Sequence, residues 1–255
     1  MSTGRITQVL QAMTAEDVFI NKLKHQIMCF GNADEYTVKL ATTQDHLKQA
    51  YHLTYQTYLE KGYVAKNTSK MWVPEWSKNN DSAVIIVLKN EKVVGTLTAG
   101  FGSNTILPAD TIFNDELNIF RNQNENIAEV MSLSLLPNMK DSKLIINNLI
   151  NTLFILCQNI KKVDRLVITV NPRHKTFYIK KVLFKLLGKC KSYDKVKGAP
   201  AELLTLDFKD YNHSINEHRI GNKPDRTIYK YFADKSKERL IQKILAKQLY
   251  QTCLA

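Results

Sequence analysis

Between residues 142 and 160 apolar side chains return at three- and four-residue steps: Ile145, Ile146, Leu149, Ile150, Leu153, Phe154, Cys157 and Ile160. That period belongs to a buried helix, and Asp141 or Ser142 stands where its N-cap is expected. Two β-rich runs frame the helix, AEVMSLSLLP at 128–137 and DRLVITV at 164–170. Strands on both sides of an apolar helix restrict the chain to a mixed α/β domain in which helices pack on a sheet.

The flanking sequence fits that class. Residues 5–30 have helical spacing, EYTVKLAT alternates as a short strand, and Thr43 is placed to cap a helix over 44–62 that Gly62 closes. Residues 63–80, with Met71, Trp72 and Trp76, read as loop. SAVIIVLKNEKVVGTLTAGF reads as two strands joined at Asn90-Glu91, followed by a loop around Pro108 and a short polar helix. The stretch VITVNPRHKTFYIKKVLFKLLG, 167–188, passes from a strand through Asn171-Pro172 into another helix, and AELLTLDF is the last strand. Residues 211–255 are polar and helical near the end. The expected division is a helical extension over 1–35, one domain over 36–210, and a second helical extension over 211–255.

The first thirteen residues, MSTGRITQVLQAM, lack the apolar core of a secretory signal, and the best apolar window, LIINNLINTLFIL, is broken by Asn147, Asn148 and Asn151. A cytoplasmic protein with no transmembrane segment is expected. Cys29, Cys157, Cys190 and Cys253 are scattered, with neither a CxxC pair nor a disulfide framework, so inert thiols and no metal are expected. The formal net charge is +12, and it is concentrated: residues 140–197 carry 14 Lys/Arg against 3 Asp/Glu. A field of that kind speeds docking of an anionic partner, although a solvated basic face would have the same composition.

VGTLTAGF, IFNDELNIF, AEVMSLSLLP, DRLVITVNPRHKTFY and KVKGAPAELLTLDF stand in an order and spacing that resembles the N-acyl amino acid synthases. These are a branch of the Gcn5-related N-acetyltransferase (GNAT) superfamily, near the acyl-homoserine-lactone synthases, and the resemblance covers roughly residues 36–208. It implies a GNAT-like fold with a twisted mixed sheet, splayed strands and flanking helices. It also implies transfer of a fatty acyl group from the phosphopantetheine of acyl carrier protein to an amino acid amine. No permanently bound cofactor and no nucleic acid are expected. The chain departs from the family pattern twice: the usual Glu-Val-Ser-Arg-Leu reads Glu129-Val130-Met131-Ser132-Leu133, and Thr54 stands where many relatives have arginine.

An amine attacking a thioester needs a base, donors for the oxyanion and a proton for the leaving thiolate. Glu129 is the one acid in its strand and the candidate base, its pKa rising if it is buried; a structural carboxylate is the other reading. Backbone N–H groups near Ser132 and Leu133 are candidates for the oxyanion, and the Ser132 hydroxyl could add to them. By the resemblance, Tyr178 is the candidate acid and Asn171 meets the pantetheine arm; Phe177, which packs the helix on the sheet, is also assigned to donor binding. No glycine occurs between Gly102 and Gly188, so a pyrophosphate cradle like that of acetyl-CoA enzymes is not expected in the loop before the apolar helix. Lys140 and Lys143 there are candidates for a single phosphate, that of phosphopantetheine. Tyr58, Trp72, Thr98, Arg173 and His174 are assigned to the acceptor and acyl pocket, the last two as groups able to hold a carboxylate. Two alternatives stay open: an acetyl-CoA-dependent amine acetyltransferase, and a non-catalytic module that binds acyl groups or acyl carrier protein.

Overall fold

A computed structural model describes residues 28–32, 35–74, 82–102, 106–220 and 226–253. The helical expectation for 5–30 falls almost entirely outside them, as does Trp76. Eight strands form one sheet: β1 (Cys29–Phe30), β2 (Tyr36–Leu40), β3 (Ser82–Lys89), β4 (Lys92–Phe101), β5 (Ile127–Leu135), β6 (Arg165–Val170), β7 (Lys185–Tyr193) and β8 (Ala199–Asp207). Their spatial order is β1-β2-β3-β4-β5-β6-β8-β7. Every adjacent pair is antiparallel except β5 and β6, which run parallel and are therefore joined through a helix.

The helices are α1 (Gln44–Glu60), α2 (Asp110–Arg121), α3 (Ser142–Phe154), α4 (Lys175–Lys181), α5 (Phe208–Arg219) and α6 (Lys235–Cys253). Thr43 caps α1 as its type predicts, its hydroxyl accepting the His46 N–H, and Gly62 follows with φ +74°. The β3–β4 turn is the two-residue loop Asn90-Glu91, both with positive φ, the twist a tight hairpin requires. Asp141 precedes α3, but its side chain does not cap the helix; it accepts the Tyr36 hydroxyl at 3.0 Å. The apolar helix ends at Phe154, and residues Ile155–Ile160 continue it with a wider π turn.

The strand's side-chain alternation divides the core between the two faces of the sheet. On one face Ala128, Val130, Leu166 and Ile168 pack with Ile145, Leu149 and Leu153 of α3 and with Ile241, Ile244 and Leu245 of α6. On the other, Val84 and Ile86 pack against Ala50 and Leu53 of α1, while Ile127, Val167 and Leu203 pack under Phe113 and Leu117 of α2. Helix α6 is tied in further by Gln248, whose Oε1 accepts the Leu40 N–H at 3.0 Å.

Two strands differ from the sequence expectation: Cys29–Phe30, at the end of the run read as helix, pairs with β2 as strand β1, and β7 takes the place of the end of a helix. The helix entered at Asn171-Pro172 begins with a 3₁₀ turn over Pro172–His174 and stops at Lys181; Leu183 turns the chain with φ +63°, and Lys185–Tyr193 is strand β7. β7 is the exposed edge of the sheet. Its Lys185, Lys189 and Lys191 give it the polar composition that sheet edges carry, with none of the alternation that marks a half-buried strand.

Candidate active site

Two irregularities of β5 open the sheet at its centre. Pairing with β6 runs from Ile127↔Arg165 to Val130↔Ile168 and then ends, while both strands continue. On the β4 side the register jumps between Thr98↔Met131 and Thr96↔Ser134, so that Ser132 and Leu133 together face Leu97. This is a β-bulge, and Ser132 takes the left-handed conformation with φ +57°. Ser132 and Leu133 thus have no register partner in either neighbouring strand, which is where the sequence placed oxyanion donors.

A cavity of about 790 Å³ fills the resulting cleft. Glu129, Ser132, Leu133, Asn171, His174, Phe177, Tyr178, Tyr58 and Trp72 all line it, so nine of the residues singled out by sequence are brought together. Much of the remaining wall is apolar: Val130, Leu135, Ile146, Ile168 and Val170. Lys140 and Lys143 are exposed at the start of α3 and do not line the cavity. Thr98 is buried in β4 opposite Met131, also outside the lining. Arg173 stands at the rim: its Nη2 donates to the Tyr63 hydroxyl at 2.7 Å and its Nε to His174 Nε2 at 3.1 Å, and Tyr63 lines the cavity. Thr54, the second departure from the family pattern, is buried in α1 with its hydroxyl on the Ala50 carbonyl.

Glu129 is 2% exposed. Its Oε2 accepts the Ala109 N–H at 2.8 Å and its Oε1 the Thr169 hydroxyl at 3.4 Å. Burial dominates those two bonds and raises its pKa to about 7, with Asp110 pushing the same way and Lys195 opposing. At neutral pH the carboxyl is therefore close to half ionised, as a general base should be. Burial also raises the Tyr178 phenol, which packs edge-on against Phe177 and Phe184. Tyr58 is raised by burial too, and Ser132 approaches its phenol through both hydroxyl and backbone amide. At the rim, burial and then Arg173 lower the Lys61 ammonium; burial, followed by Lys61 and Arg173, lowers His174.

Sequence reasoning missed Thr169, Lys61, Lys195 and the Pro108-Ala109 turn. Thr169 carried a usable signal, lying two residues from Val167 on the same side of its strand. The amide of an alanine carries none. Of the cysteines, Cys29 and Cys157 are buried, and burial pushes the Cys157 thiol up; Cys190 is exposed on β7. Among the described residues no cluster of three or more His, Cys, Asp or Glu could hold a metal ion, and no helix is long and apolar enough to cross a membrane.

The family model for N-acyl amino acid synthase FeeM matches residues 49–207. The solved structure of FeeM, an N-acyl amino acid synthase from uncultured soil microbes, is similar at a TM-score of 0.61 and 21% identity, covering 69% of this chain and 93% of that one. BjaI, a CoA-dependent acyl-homoserine lactone synthase, is similar at a TM-score of 0.56 and 14% identity, over 75% of this chain and 92% of that one. The acyl-homoserine lactone synthase LasI gives a TM-score of 0.53 at 13% identity, over 68% and 89% of the two chains. No curated protein matches the chain by sequence. The solved structures share the fold of this chain, the GNAT-like mixed sheet that the sequence resemblance implied.

Proposed function

The chain belongs to the N-acyl amino acid synthase FeeM family and is an N-acyltransferase, and on that premise we propose that it moves a medium or long fatty acyl chain from the phosphopantetheine of acyl carrier protein to the amine of an amino acid or related small molecule. The observation that carries this reading is the buried Glu129 carboxyl beside a bulged, splayed strand, both in one largely apolar cavity. A volume of about 790 Å³ lies in the upper part of the range for ligand sites and suits an acyl chain together with an acceptor.

In the proposed reaction the ionised Glu129 takes a proton from the acceptor ammonium, and the freed nitrogen attacks the thioester carbonyl. The developing oxyanion receives N–H bonds from the Ser132–Leu133 bulge, where ladder partners are missing. Collapse breaks the C–S bond, and Tyr178, whose raised pKa keeps its phenol protonated at neutral pH, donates to the departing thiolate. The second proton of the attacking nitrogen returns to the phenolate, leaving a neutral amide, a free thiol and the proton held by Glu129. Asn171 and Phe177 flank the pantetheine arm. Arg173 and His174, with Lys61 beside them, face the acceptor's anionic group. Residues 36–210 carry the transferase in this reading, with the flanking segments as extensions.

Acyl carrier protein is preferred over CoA as donor for two reasons. The Pro137–Lys143 loop contains no glycine with which to cradle a pyrophosphate. The basic segment keeps exposed cations for an acidic partner (Lys140, Lys143, Lys180, Lys189, Lys195 and Lys197) even though Arg165, Lys175, Lys185 and Lys191 are paired with acids from elsewhere in the chain. The test is transfer by the purified protein from matched acyl-carrier and acyl-CoA thioesters to a full amino-acid panel, read by mass spectrometry. Faster transfer from the carrier thioester supports the donor assignment; preference for CoA overturns it; no acylated amine from either donor overturns the reaction.

A further inference from the structure

Beneath the cavity floor the Asp110 carboxylate is gripped on both oxygens. Arg121 Nη1 donates to Oδ1 at 2.6 Å and Nη2 to Oδ2 at 2.7 Å, a bidentate fork, and the Leu107 N–H donates to Oδ2 at 2.6 Å. The Asp110 side chain is 3% exposed, and Arg121 is steadied by Asn118 Oδ1 at 3.2 Å. Two parallel charge-assisted bonds fix orientation as well as distance. They close the turn Leu107-Pro108-Ala109 onto the start of α2, where the Asp110 N–H also returns to the Leu107 carbonyl at 3.0 Å. A second strut comes from β7, since the Tyr193 hydroxyl donates to the Pro108 carbonyl at 3.2 Å. Ala109 is fully buried, and its N–H is the donor delivered to Glu129 Oε2.

A buried ion pair is a poor way to gain stability, because desolvating both ions offsets most of their attraction. What it supplies here is geometry next to a carboxyl that has to change charge. We propose that Asp110 and Arg121 are positioning residues for Glu129: their fork fixes the 107–109 turn so that the Ala109 amide holds Oε2, leaving Oε1, with only its long bond to Thr169, to meet the acceptor. This inference rests on Glu129 being the base. The other ionisable groups facing Glu129 are Lys195 from the β7–β8 turn and Tyr58 from α1.

Arg121→Met tests it. The turn loosens and Glu129 loses an N–H that favours its charged form, while the Asp110 charge is left uncompensated nearby; both effects oppose ionisation. Titration of the Glu129 carboxyl by isotope-edited infrared spectroscopy is expected to move up by about 0.5–1 pH unit in folded Arg121→Met. The acidic limb of kcat should move with it. Arg121→Lys keeps the charge and loses the fork; it should show a smaller upward movement, and it carries the test where the Met variant does not fold. An unmoved titration in folded Arg121→Lys overturns the proposal, whatever happens to activity: the charge beside Asp110 is kept there, so a merely stabilising ion pair would change the folded fraction and leave the limb in place. In Arg121→Met, by contrast, the bare Asp110 charge moves the titration even without the clamp. Since the infrared titration needs no turnover, a wild-type protein that titrates as expected but transfers no acyl group refutes the functional reading and leaves the clamp to be judged separately.

Discussion

Replacing Glu129 by glutamine should remove acyl transfer and, at alkaline pH, make the protein more stable. Burial lifts the Glu129 pKa from 4.5 to about 7, with its hydrogen bonds from Ala109 and Thr169 opposing the rise. A carboxyl whose pKa is raised in the folded state binds its proton more tightly there than in the unfolded chain. Its stabilising contribution is full below about pH 4.5 and is lost as pH climbs through about 7. Across that window of about two and a half pH units, at about 1.36 kcal/mol per unit, the wild type gives up roughly 3 kcal/mol. Glutamine keeps the shape and stays neutral: its carbonyl can accept the Ala109 N–H and its amide can donate to Thr169. The difference in unfolding free energy between variant and wild type should be near zero at pH 4 and below, grow through pH 5, 6 and 7, and level off above pH 8 with the variant ahead by roughly 3 kcal/mol. Guanidinium unfolding of the two proteins at each pH measures it, and other titrating groups cancel in the subtraction. A difference independent of pH, or a wild type that gains on the variant as pH rises, would refute the placement of Glu129 as a buried, reluctantly ionised carboxyl.

Tyr178→Phe keeps the ring that packs on Phe177 and Phe184, so the melting temperature should hold while kcat falls by about 10²–10⁴-fold; unchanged turnover would remove Tyr178 as the acid. Gln248→Ala leaves the Leu40 N–H buried without its acceptor and should cost about 1–3 kcal/mol in chemical unfolding, which measures how far α6 is part of the domain. A Cβ at Gly95 would stand 2.8 Å from Ile145 Cγ2, so Gly95→Ala should cost about 1–3 kcal/mol by forcing α3 away from β4.

Periodicity and capping made most of the framework legible. The apolar steps of α3, the alternation in β2 and the hairpin at Asn90-Glu91 are local signals, and each element forms where its own residues favour it. β7 was illegible for a physical reason. Ile179, Val182 and Leu186 recur at helical spacing and suggest that α4 continues, yet Val182 and Phe184 are instead the buried pivots of a turn, and the chain returns as a lysine-bearing edge strand whose one strand partner is β8. Asp141 misled in the same way: its type and place suit a helix cap, but a tyrosine 105 residues away in sequence takes its carboxylate instead.

The site divides along the same line. Glu129 could be found because an acid inside an otherwise apolar strand must either find partners or change its pKa, and residue type alone reveals that much. What decides between those outcomes is supplied by groups with no type signal. The Ala109 amide, 20 residues earlier in the chain, reaches Oε2 because Asp110 is locked by Arg121, 11 residues later. Ser132 gains its importance from a left-handed backbone and a missing register partner rather than from its hydroxyl. For Lys140 and Lys143 the sequence showed charge and a helix-start position, and the structure adds only that both lie exposed at the start of α3, outside the cavity lining. Charge is visible in a sequence, whereas the direction in which a side chain faces depends on the whole sheet. The residues named on β5, at the end of β6 and on α4 meet in the cleft because the sheet opens there, whereas Thr98, equally buried one strand away, lies outside the lining.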